Sequence, residues 1–261
     1  MMDLKLTGKY ALVTGGSHGI GLAIALGLAE EGCNIAICSR SKDRLSSAKD
    51  VIKSKGVDCL SIVADVLIPS DIEFVMKSIE KEWGTIHILI NNVGGGGRWG
   101  TDSIETTPEE VWTQVYDKNM FATLRFTKLA IPHMRAQKWG RVVTVTSTLG
   151  RQAGGRPWFN VAKNAQTCLM KNLSQDKCFA RDGITFNSIA PGCIMIPNTG
   201  WEIEAKKDPK AFKLLVDREF PLGRFGTPEE VAFTAVMLCS EQATLITGAS
   251  IAVDGGESKC I

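Results

Sequence analysis

The sequence is poor in several features that mark particular classes of protein. Its formal net charge is only +2 over 261 residues, which argues against nucleic acid or an anionic membrane surface as a partner. The start shows no apolar leader, and no run reaches the roughly 18 apolar residues of a spanning helix, so we expect a cytoplasmic protein. The three histidines, at positions 18, 87 and 133, are too scattered to predict a metal site.

Disulfide chemistry is not indicated either, although the chain has 8 cysteines. No CxxC motif or paired spacing is present, and several cysteines lie inside apolar runs, as Cys38 does in NIAICS. This pattern is typical of reduced thiols in a protein core.

The chain does contain a regular alternation of short apolar runs and longer helical patterns. A length of 261 residues, with 44% apolar and 22% charged residues, favours one α/β domain over residues 1–261. Most of the runs are continuously apolar, as expected for parallel strands that helices cover on both faces. The predicted strands are 9–14, 34–38, 59–64, 86–91, 141–147, 184–190 and 250–254.

Helical patterns fill most of the segments between these strands. Two of them begin with the same start signal, Thr-Pro-Glu-Glu at 107–110 and 227–230, which places Pro and acidic residues in the first turn. The stretch 193–225 interrupts the alternation after a strand end, so we predict a lid over the substrate there. The predicted helices lie near 19–31, 42–55, 70–82, 108–136, 157–181 and 228–239.

A glycine-rich segment, TGGSHGIG (14–21), follows the first strand and opens the first helix. Gly15, Gly19 and Gly21 permit a tight turn and a close backbone approach, and the helix N-terminus offers free N–H groups to a diphosphate. Glycines also mark ordinary turns, so the prediction of a dinucleotide site depends on the strand–turn–helix context.

This TGxxxGIG pattern, together with other motifs, resembles the short-chain dehydrogenases/reductases over about residues 7–256, in a 3-oxoacyl-acyl-carrier-protein-reductase-like form. NNVG (91–94) looks like the family's NNAG, Asp65 like its adenine-contacting Asp, and Pro191-Gly192 like its PG turn beside the nicotinamide. The resemblance implies a Rossmann-type doubly wound sheet of seven parallel strands in the order 3-2-1-4-5-6-7. It also implies cofactor contacts at Gly15, Ser17, His18, Gly19, Ile20, Gly21, Arg40, Asp65, Val66, Asn92, Gly94, Lys163, Pro191, Gly192 and Ile194.

The resemblance further implies a catalytic set of Ser, Tyr, Lys and Asn. In that family the Tyr exchanges a proton with the substrate oxygen, the Lys lowers the Tyr pKa and holds the ribose, the Ser holds the substrate oxygen, and the Asn fixes a water. Ser147, Lys163 and Asn119 match, but the Tyr position falls on Phe159, four residues before Lys163. Phe has no proton to donate, and the chain's two tyrosines, Tyr10 and Tyr116, are not obvious replacements.

Three explanations of Phe159 stay open. It could be an engineered Tyr→Phe replacement. It could be a natural divergence, in which the proton comes from Lys163 through water, from Ser147 or from the substrate itself. The protein could also bind a nucleotide without turnover, as a sensor or an assembly subunit, although retention of the other three residues argues mildly against this. We predict an oxidoreductase that interconverts a carbonyl and a secondary alcohol, with slow or atypical turnover because the positioned proton donor is missing.

The end of the second strand predicts which nicotinamide cofactor is used. It reads Cys38-Ser39-Arg40, without the acid that would bind a ribose 2′-hydroxyl, and Arg40 can pair with a phosphate. His18 adds a basic residue in the glycine turn. NADP(H) is therefore favoured over NAD(H).

Loops that follow the strand ends carry the candidate substrate residues, because ligands of parallel sheets bind at that edge. Several arginines there suggest an anionic substrate such as a sugar phosphate, a nucleotide-linked sugar or an acyl thioester, although any one of them could instead form a surface salt bridge. The resemblance also implies a homotetramer or homodimer. The candidate substrate residues are Arg98, Trp99, Arg151, Arg156, Trp158 and Trp201.

Overall fold

The protein is described here by a computed structural model that covers residues 3–260. Seven strands form one sheet in the order β3-β2-β1-β4-β5-β6-β7, and each neighbouring pair is parallel. The predicted Rossmann-type fold class and strand order are confirmed. The strands are β1 Tyr10–Thr14, β2 Asn34–Ser39, β3 Cys59–Val63, β4 Ile88–Asn91, β5 Gly140–Val145, β6 Ile184–Pro191 and β7 Ser250–Val253.

Helices cover both faces of this sheet. One layer consists of α1, α2 and α10, and the opposite layer contains α3, α5 and α6. No helix among residues 3–260 is long and apolar enough to cross a membrane. The helices are α1 Gly19–Glu30, α2 Lys42–Lys53, α3 Pro69–Trp83, α4 Glu109–Tyr116, α5 Ala122–Ala136, α6 Pro157–Ser174, α7 Lys177–Arg181, α8 Gly200–Lys207, α9 Pro209–Glu219 and α10 Pro228–Cys239.

The continuous apolar character of the strands follows from this two-sided burial. In β1, Ala11 and Val13 pack in the core under α1 and α10, while Leu12 packs in the core on the other face. Successive strand side chains point to opposite faces, so a strand covered on both sides needs apolar residues at every position. The sheet is thereby held as a rigid platform whose carboxyl edge carries the site.

Two predicted long helices are wrong as continuous elements. The segment 108–136 divides into α4 and α5 around a π-helical turn, Asp117–Phe121, and the segment 157–181 divides into α6 and α7. The first break arises at Asn119, whose side-chain amide bonds the Val115 carbonyl at 2.7 Å and competes with the regular helical ladder. The second arises because Asp176 begins a new helix by accepting the Cys178 N–H at 2.7 Å.

The cysteines bear out the prediction of core thiols only in part. Cys33, Cys38, Cys59 and Cys239 are buried free thiols, and burial raises the pKa of Cys38 to about 12. Cys168 and Cys178, by contrast, are exposed free thiols, because they lie on the outer faces of α6 and α7.

Candidate active site

The glycine turn joins β1 to α1 in a form that only glycine accommodates. Gly15 and Gly19 have positive φ angles of +66° and +56°, which place them in the left-handed region. A Cβ on Gly21 would lie 2.4 Å from the Gly15 carbonyl oxygen. No side chain caps the first turn of α1, so its N–H groups stay free to bind an anion.

The loop after β4 is tied directly to this glycine turn. The Asn92 side-chain amide donates to the Thr14 carbonyl at 2.9 Å, and the Asn92 N–H donates to the Thr14 hydroxyl at 2.9 Å. The same hydroxyl accepts the Val93 N–H at 3.1 Å. These bonds fix the start of the 92–95 loop against the turn and set the direction of the loop toward the catalytic positions.

A cleft of about 280 Å³ opens between the glycine turn and the ends of β2, β3 and β4. Arg40 and Asp65 face each other across it, with an Nη1–Oδ2 distance of 3.9 Å. The hydroxyls of Ser17 and Ser39 are bonded at 3.0 Å at the same end of β2. The cleft is lined by Gly15, Ser39, Arg40, Ala64, Asp65, Val66, Leu67, Asn92, Val93, Gly94, Trp99 and Lys118.

Asn119 and Lys163 converge at Gly94. A Cβ on Gly94 would lie 2.8 Å from both the Asn119 Oδ1 and the Lys163 Nζ. Asn119 also exchanges two hydrogen bonds with the backbone of Gly95, at 3.2 Å and 2.8 Å, while the Lys163 ammonium donates to the Val145 carbonyl at 3.1 Å. The structure therefore brings two of the predicted catalytic residues together at the end of the cleft.

The Lys163 ammonium is in an unusual environment for a lysine. Its side chain is buried, and this burial, followed by the charge of Lys118, lowers the pKa of Lys163 to about 7. Desolvation disfavours the charged form of an amine, so this group can exchange a proton near neutral pH.

Ser147 and Phe159 belong to the two segments that surround Lys163, the turn after β5 and the start of α6. Ser147 lies just after β5 and begins a short 3-10 turn, its hydroxyl oxygen accepting the Leu149 N–H at 3.2 Å. The Phe159 ring lies one helical turn before Lys163, with 5.6 Å between the ring centroid and Lys163 Nζ. A Cβ on Gly97 would touch this ring at 3.3 Å, so the glycine-rich loop runs close beside it.

The segment after β6 closes over the glycine turn. A Cβ on Gly19 would lie 3.1 Å from the Ile196 side chain, and the His18 ring bonds the Pro197 carbonyl at 3.0 Å. His18 therefore faces the predicted lid and not Arg40. Nearby, Ile194 is buried and bridges to Gly226, and the Gly192 N–H donates to the Val253 carbonyl at 3.2 Å.

The predicted lid, 193–225, contains α8 and α9. Arg98, from the loop after β4, reaches α8 and pairs with Glu204 at 2.8 Å. The same guanidinium lies 4.8 Å from the Trp201 ring centroid. This contact joins two candidate substrate residues and connects the lid to the glycine-rich loop.

The other candidate substrate residues are not gathered at one place. Arg156 pairs with Asp102 at 2.6 Å and donates to the Trp99 carbonyl at 2.7 Å, whereas Arg151 donates to the Ser250 carbonyl at the start of β7. Trp158 is buried and packs edge-on against Trp112. The structure does not bring Arg151 or Trp158 to the cleft. Arg151 is held at the sheet edge by its bond to the Ser250 carbonyl, and Trp158 is packed under α4.

Five lining residues of the cleft were not among the predicted site residues, and Lys118 is the one that carries a charge; the others are Ser39, Ala64, Leu67 and Val93. Lys118 lines the cleft with Arg40 and Asp65, and its ammonium lies 4.8 Å from the Trp99 ring centroid. The available signal was its place directly before Asn119, in DKN. This adjacency identifies Lys118 as a cleft residue only when the π-helical turn is known to direct both Lys118 and Asn119 toward the site.

The seven-stranded sheet with a glycine turn at its carboxyl edge defines a Rossmann-type α/β protein. The profile of a family described as Enoyl-(Acyl carrier protein) reductase matches residues 15–258, and curated relatives match nearly the whole chain. The chain belongs to the short-chain dehydrogenase/reductase family of oxidoreductases.

Several relatives illustrate the range of this similarity. The chain is 33% identical over 255 residues to the 3-oxoacyl-acyl-carrier-protein reductase FabG of Staphylococcus aureus, covering 97% of this chain and 99% of that protein. It is 32% identical over 258 residues to D-beta-hydroxybutyrate dehydrogenase of Cupriavidus necator, covering 96% and 98%. The crystal structure of L-sorbose reductase from Gluconobacter frateurii, complexed with NADPH and L-sorbose, superposes with a TM-score of 0.92 at 35% identity, covering 100% of both chains.

Proposed function

We propose that the protein is an NADP(H)-dependent oxidoreductase that interconverts a carbonyl and a secondary alcohol. The observation that carries this proposal is the position of Gly94 between two halves of the site. On one side, Asn92 ties its loop to the glycine turn. On the other side, Lys163 and Asn119 both approach Gly94. A dinucleotide that lies along the turn would therefore end at these groups.

The residues around the cleft fit such a cofactor. Gly15, Gly21 and Gly94 allow the glycine turn, α1 and the loop after β4 to pack closely at the cleft, where a Cβ would meet other protein atoms. The uncapped first turn of α1 supplies N–H donors for a diphosphate. Asp65 and Val66 lie where the resemblance places the adenine. Lys163 and the Pro191–Ile194 segment lie where it places the nicotinamide end.

The preference for NADP(H) over NAD(H) rests on the end of β2. Arg40 faces the cleft there with most of its side chain exposed, and the end of β2 carries no acid of the kind that binds a ribose 2′-hydroxyl. Ser17 and Ser39 offer hydroxyl donors beside it. The complex of L-sorbose reductase with NADPH supports the same choice.

The catalytic roles follow from the hydrogen bonds of the chain's own residues. When bound, the nicotinamide supplies or accepts the hydride. The Ser147 hydroxyl oxygen accepts a backbone N–H and keeps its own proton to donate to the substrate oxygen. Asn119 fixes the loop at Gly95 and holds it beside Lys163. Donors placed at that oxygen stabilise the negative charge that develops there.

Lys163 is the proposed source of the proton. Phe159 cannot provide it, and a buried ammonium that titrates near pH 7 can deliver a proton to the substrate oxygen, directly or through a water. With Lys163 as the donor, we interpret Phe159 as a natural divergence. An engineered Tyr→Phe replacement is the alternative that the next experiment separates.

Because we propose that Lys163 supplies the proton, we expect Phe159→Tyr to raise kcat for carbonyl reduction by less than about tenfold. A positioned proton donor contributes on the order of 10²–10⁴-fold in rate, so an engineered loss would be restored by that amount. A naturally divergent site, built around Lys163, would gain less than about tenfold. The measurement is NADPH oxidation with a ketose and a 3-oxoacyl thioester.

Phe233→Tyr serves as the matched control, because Phe233 is an exposed residue of α10 and lies outside the site. NADPH binding is measured in parallel by fluorescence. If neither the unchanged protein nor Phe159→Tyr oxidises or binds NADPH, the proposed function is wrong.

A non-catalytic nucleotide-binding protein is the second candidate, and Phe159 is the observation that favours it. Such a sensor or assembly subunit would bind NADPH as tightly as the enzyme. It would show no turnover with either substrate class, and Phe159→Tyr would not create any.

An anionic substrate remains part of the proposal. Arg98 and Arg156 lie at the loop after β4, and each has further donors beyond those paired with Glu204 and Asp102. Phosphate-bearing carbonyl compounds should then bind more tightly than neutral analogues, and Arg98→Ala should remove the difference. Equal affinity in the unchanged protein would refute the idea.

We also propose that the protein assembles as a homotetramer. Large apolar side chains are exposed on several helices and one loop, and patches of this kind often mark interfaces. Sedimentation of the purified protein tests this. The exposed side chains include Phe121, Val161, Phe233 and Leu245.

A further inference from the structure

Lys118 is a half-buried cation without a carboxylate partner. Among the side chains of residues 3–260, no ion pair or hydrogen bond involves its ammonium, although Arg40 and Asp65 line the same cleft. Burial and the charge of Arg40 both lower the pKa of Lys118. A partly desolvated charge is stabilised by a hydrogen-bonded partner of opposite sign, and an anion bound in the cleft would give Lys118 one.

The charged side chains of the cleft leave an excess of positive charge, which favours an anionic ligand. Two cations, Lys118 and Arg40, share the cleft with one carboxylate, Asp65. That carboxylate is 3.9 Å from Arg40, a distance that gives only a weak pair. A phosphate monoester, with close to two negative charges near neutral pH, has oxygens enough to contact both cations and would attract each more strongly than the distant Asp65 carboxylate does.

This anion is not the diphosphate. The free N–H groups expected to hold a diphosphate belong to the first turn of α1, beside His18 and Ile196. Lys118 instead lines the cleft with Ser39, Arg40 and Asp65, at the carboxyl ends of β2 and β3. The adenosine end of a dinucleotide would lie there.

We propose that Lys118 and Arg40 together hold the phosphate on the adenosine ribose of NADP(H), so that Lys118 is a second residue that selects this cofactor. This inference rests on the proposed function. The Trp99 ring, 4.8 Å from the Lys118 ammonium, positions the lysine by a cation–π contact. Lys118 also directly precedes Asn119 in the π-helical turn, so phosphate binding stabilises the turn that holds Asn119.

The test uses binding, measured by calorimetry, and not activity. The ligands are NADPH, NADH, adenosine 2′,5′-bisphosphate and adenosine 5′-phosphate. The variants are Lys118→Met, which keeps the chain length without the charge, Lys118→Arg, which keeps the charge, and Arg40→Met. Lys128→Met is the matched control, because Lys128 is an exposed lysine of α5. Thermal melting shows that each variant is folded.

We expect Lys118→Met to weaken NADPH and the 2′,5′-bisphosphate by about tenfold or more, the usual effect of losing a charged hydrogen bond. NADH and the 5′-phosphate should change less than about twofold, Lys118→Arg should retain most of the affinity, and Lys128→Met all of it. Equal losses for all four ligands, or no loss for any, would overturn the inference. If the unchanged protein binds none of the four, the proposed function fails instead.

Discussion

At the scale of single residues, the most informative group is the Lys163 ammonium. It is buried next to Asn119 and bonded to the Val145 carbonyl, and its pKa is lowered from 10.5 to about 7. A lysine with an ordinary pKa would hold its proton throughout the physiological range. In this site the protonated and neutral forms are both accessible, which a proton donor requires.

This shift predicts the pH dependence of the reaction. The ammonium is protonated below a pH of about 7 and neutral above it. If Lys163 donates the proton, kcat for carbonyl reduction should be constant at lower pH and fall by about tenfold per pH unit above the pKa. Steady-state rates between pH 5.5 and 9 check this, with NADPH saturating at each pH. Lys163→Met should lower kcat and remove the fall of kcat above pH 7. A flat profile up to pH 9 would refute Lys163 as the donor.

Single residues also show what the sequence could and could not predict. Ser147, Asn119 and Lys163 match positions of a family catalytic set, so the resemblance located them without a structure. The partners of Arg98, Arg151 and Arg156 could not be, because each lies more than 50 residues away in the chain. Trp158 appears beside Phe159 in sequence, yet the packing of α4 on α6 buries it.

At the scale of elements, the glycine turn and the start of α1 determine whether the cleft can form. Gly21 lies in the first turn of α1, where the carbonyl oxygen of Gly15 and the amide of Asn92 leave no space for a Cβ. Because the Gly15 contact is with backbone, it cannot be relieved by a side-chain rotation. The turn, the helix and the loop after β4 therefore act as one unit.

We expect Gly21→Ala to abolish NADPH binding and to lower stability by about 1–3 kcal/mol, the usual cost of overpacking a closely packed site. Fluorescence titration and urea unfolding measure the two effects. Gly27→Ala is the matched control, since Gly27 lies on the same helix and its Cβ would meet only the Val236 side chain, at 3.0 Å. Unchanged NADPH affinity in Gly21→Ala would show that the turn does not hold the dinucleotide.

Elements were predicted well where one local pattern decides them. The Pro-Glu-Glu start of α10 is one such case, and the structure contains the full capping box, with the Thr227 hydroxyl accepting the Glu230 N–H. The π-helical turn at Asp117–Phe121 could not be predicted, because it depends on bonds from Asn119 to Gly95 and from Gln166 to the Asn119 carbonyl. Those residues come from other elements.

At the scale of the whole molecule, seven continuously apolar strands leave few alternatives to a sheet that is covered on both faces. The order of the strands then places the ends of β1, β2, β4 and β5 along one edge. The glycine turn, Arg40, Gly94 and Ser147 all lie at this edge. The alternation of strands and helices therefore determines both the fold and the location of the site. It does not determine the contacts of the lid or the exposed apolar surfaces, which depend on the particular residues of this chain.

The most direct test is a crystal structure of the protein with NADPH. The diphosphate should lie on the N–H groups at the start of α1, the ribose phosphate between Arg40 and Lys118, and the nicotinamide beside Ser147 and Lys163. A dinucleotide bound elsewhere, or one whose nicotinamide points away from Lys163, would contradict the proposed function.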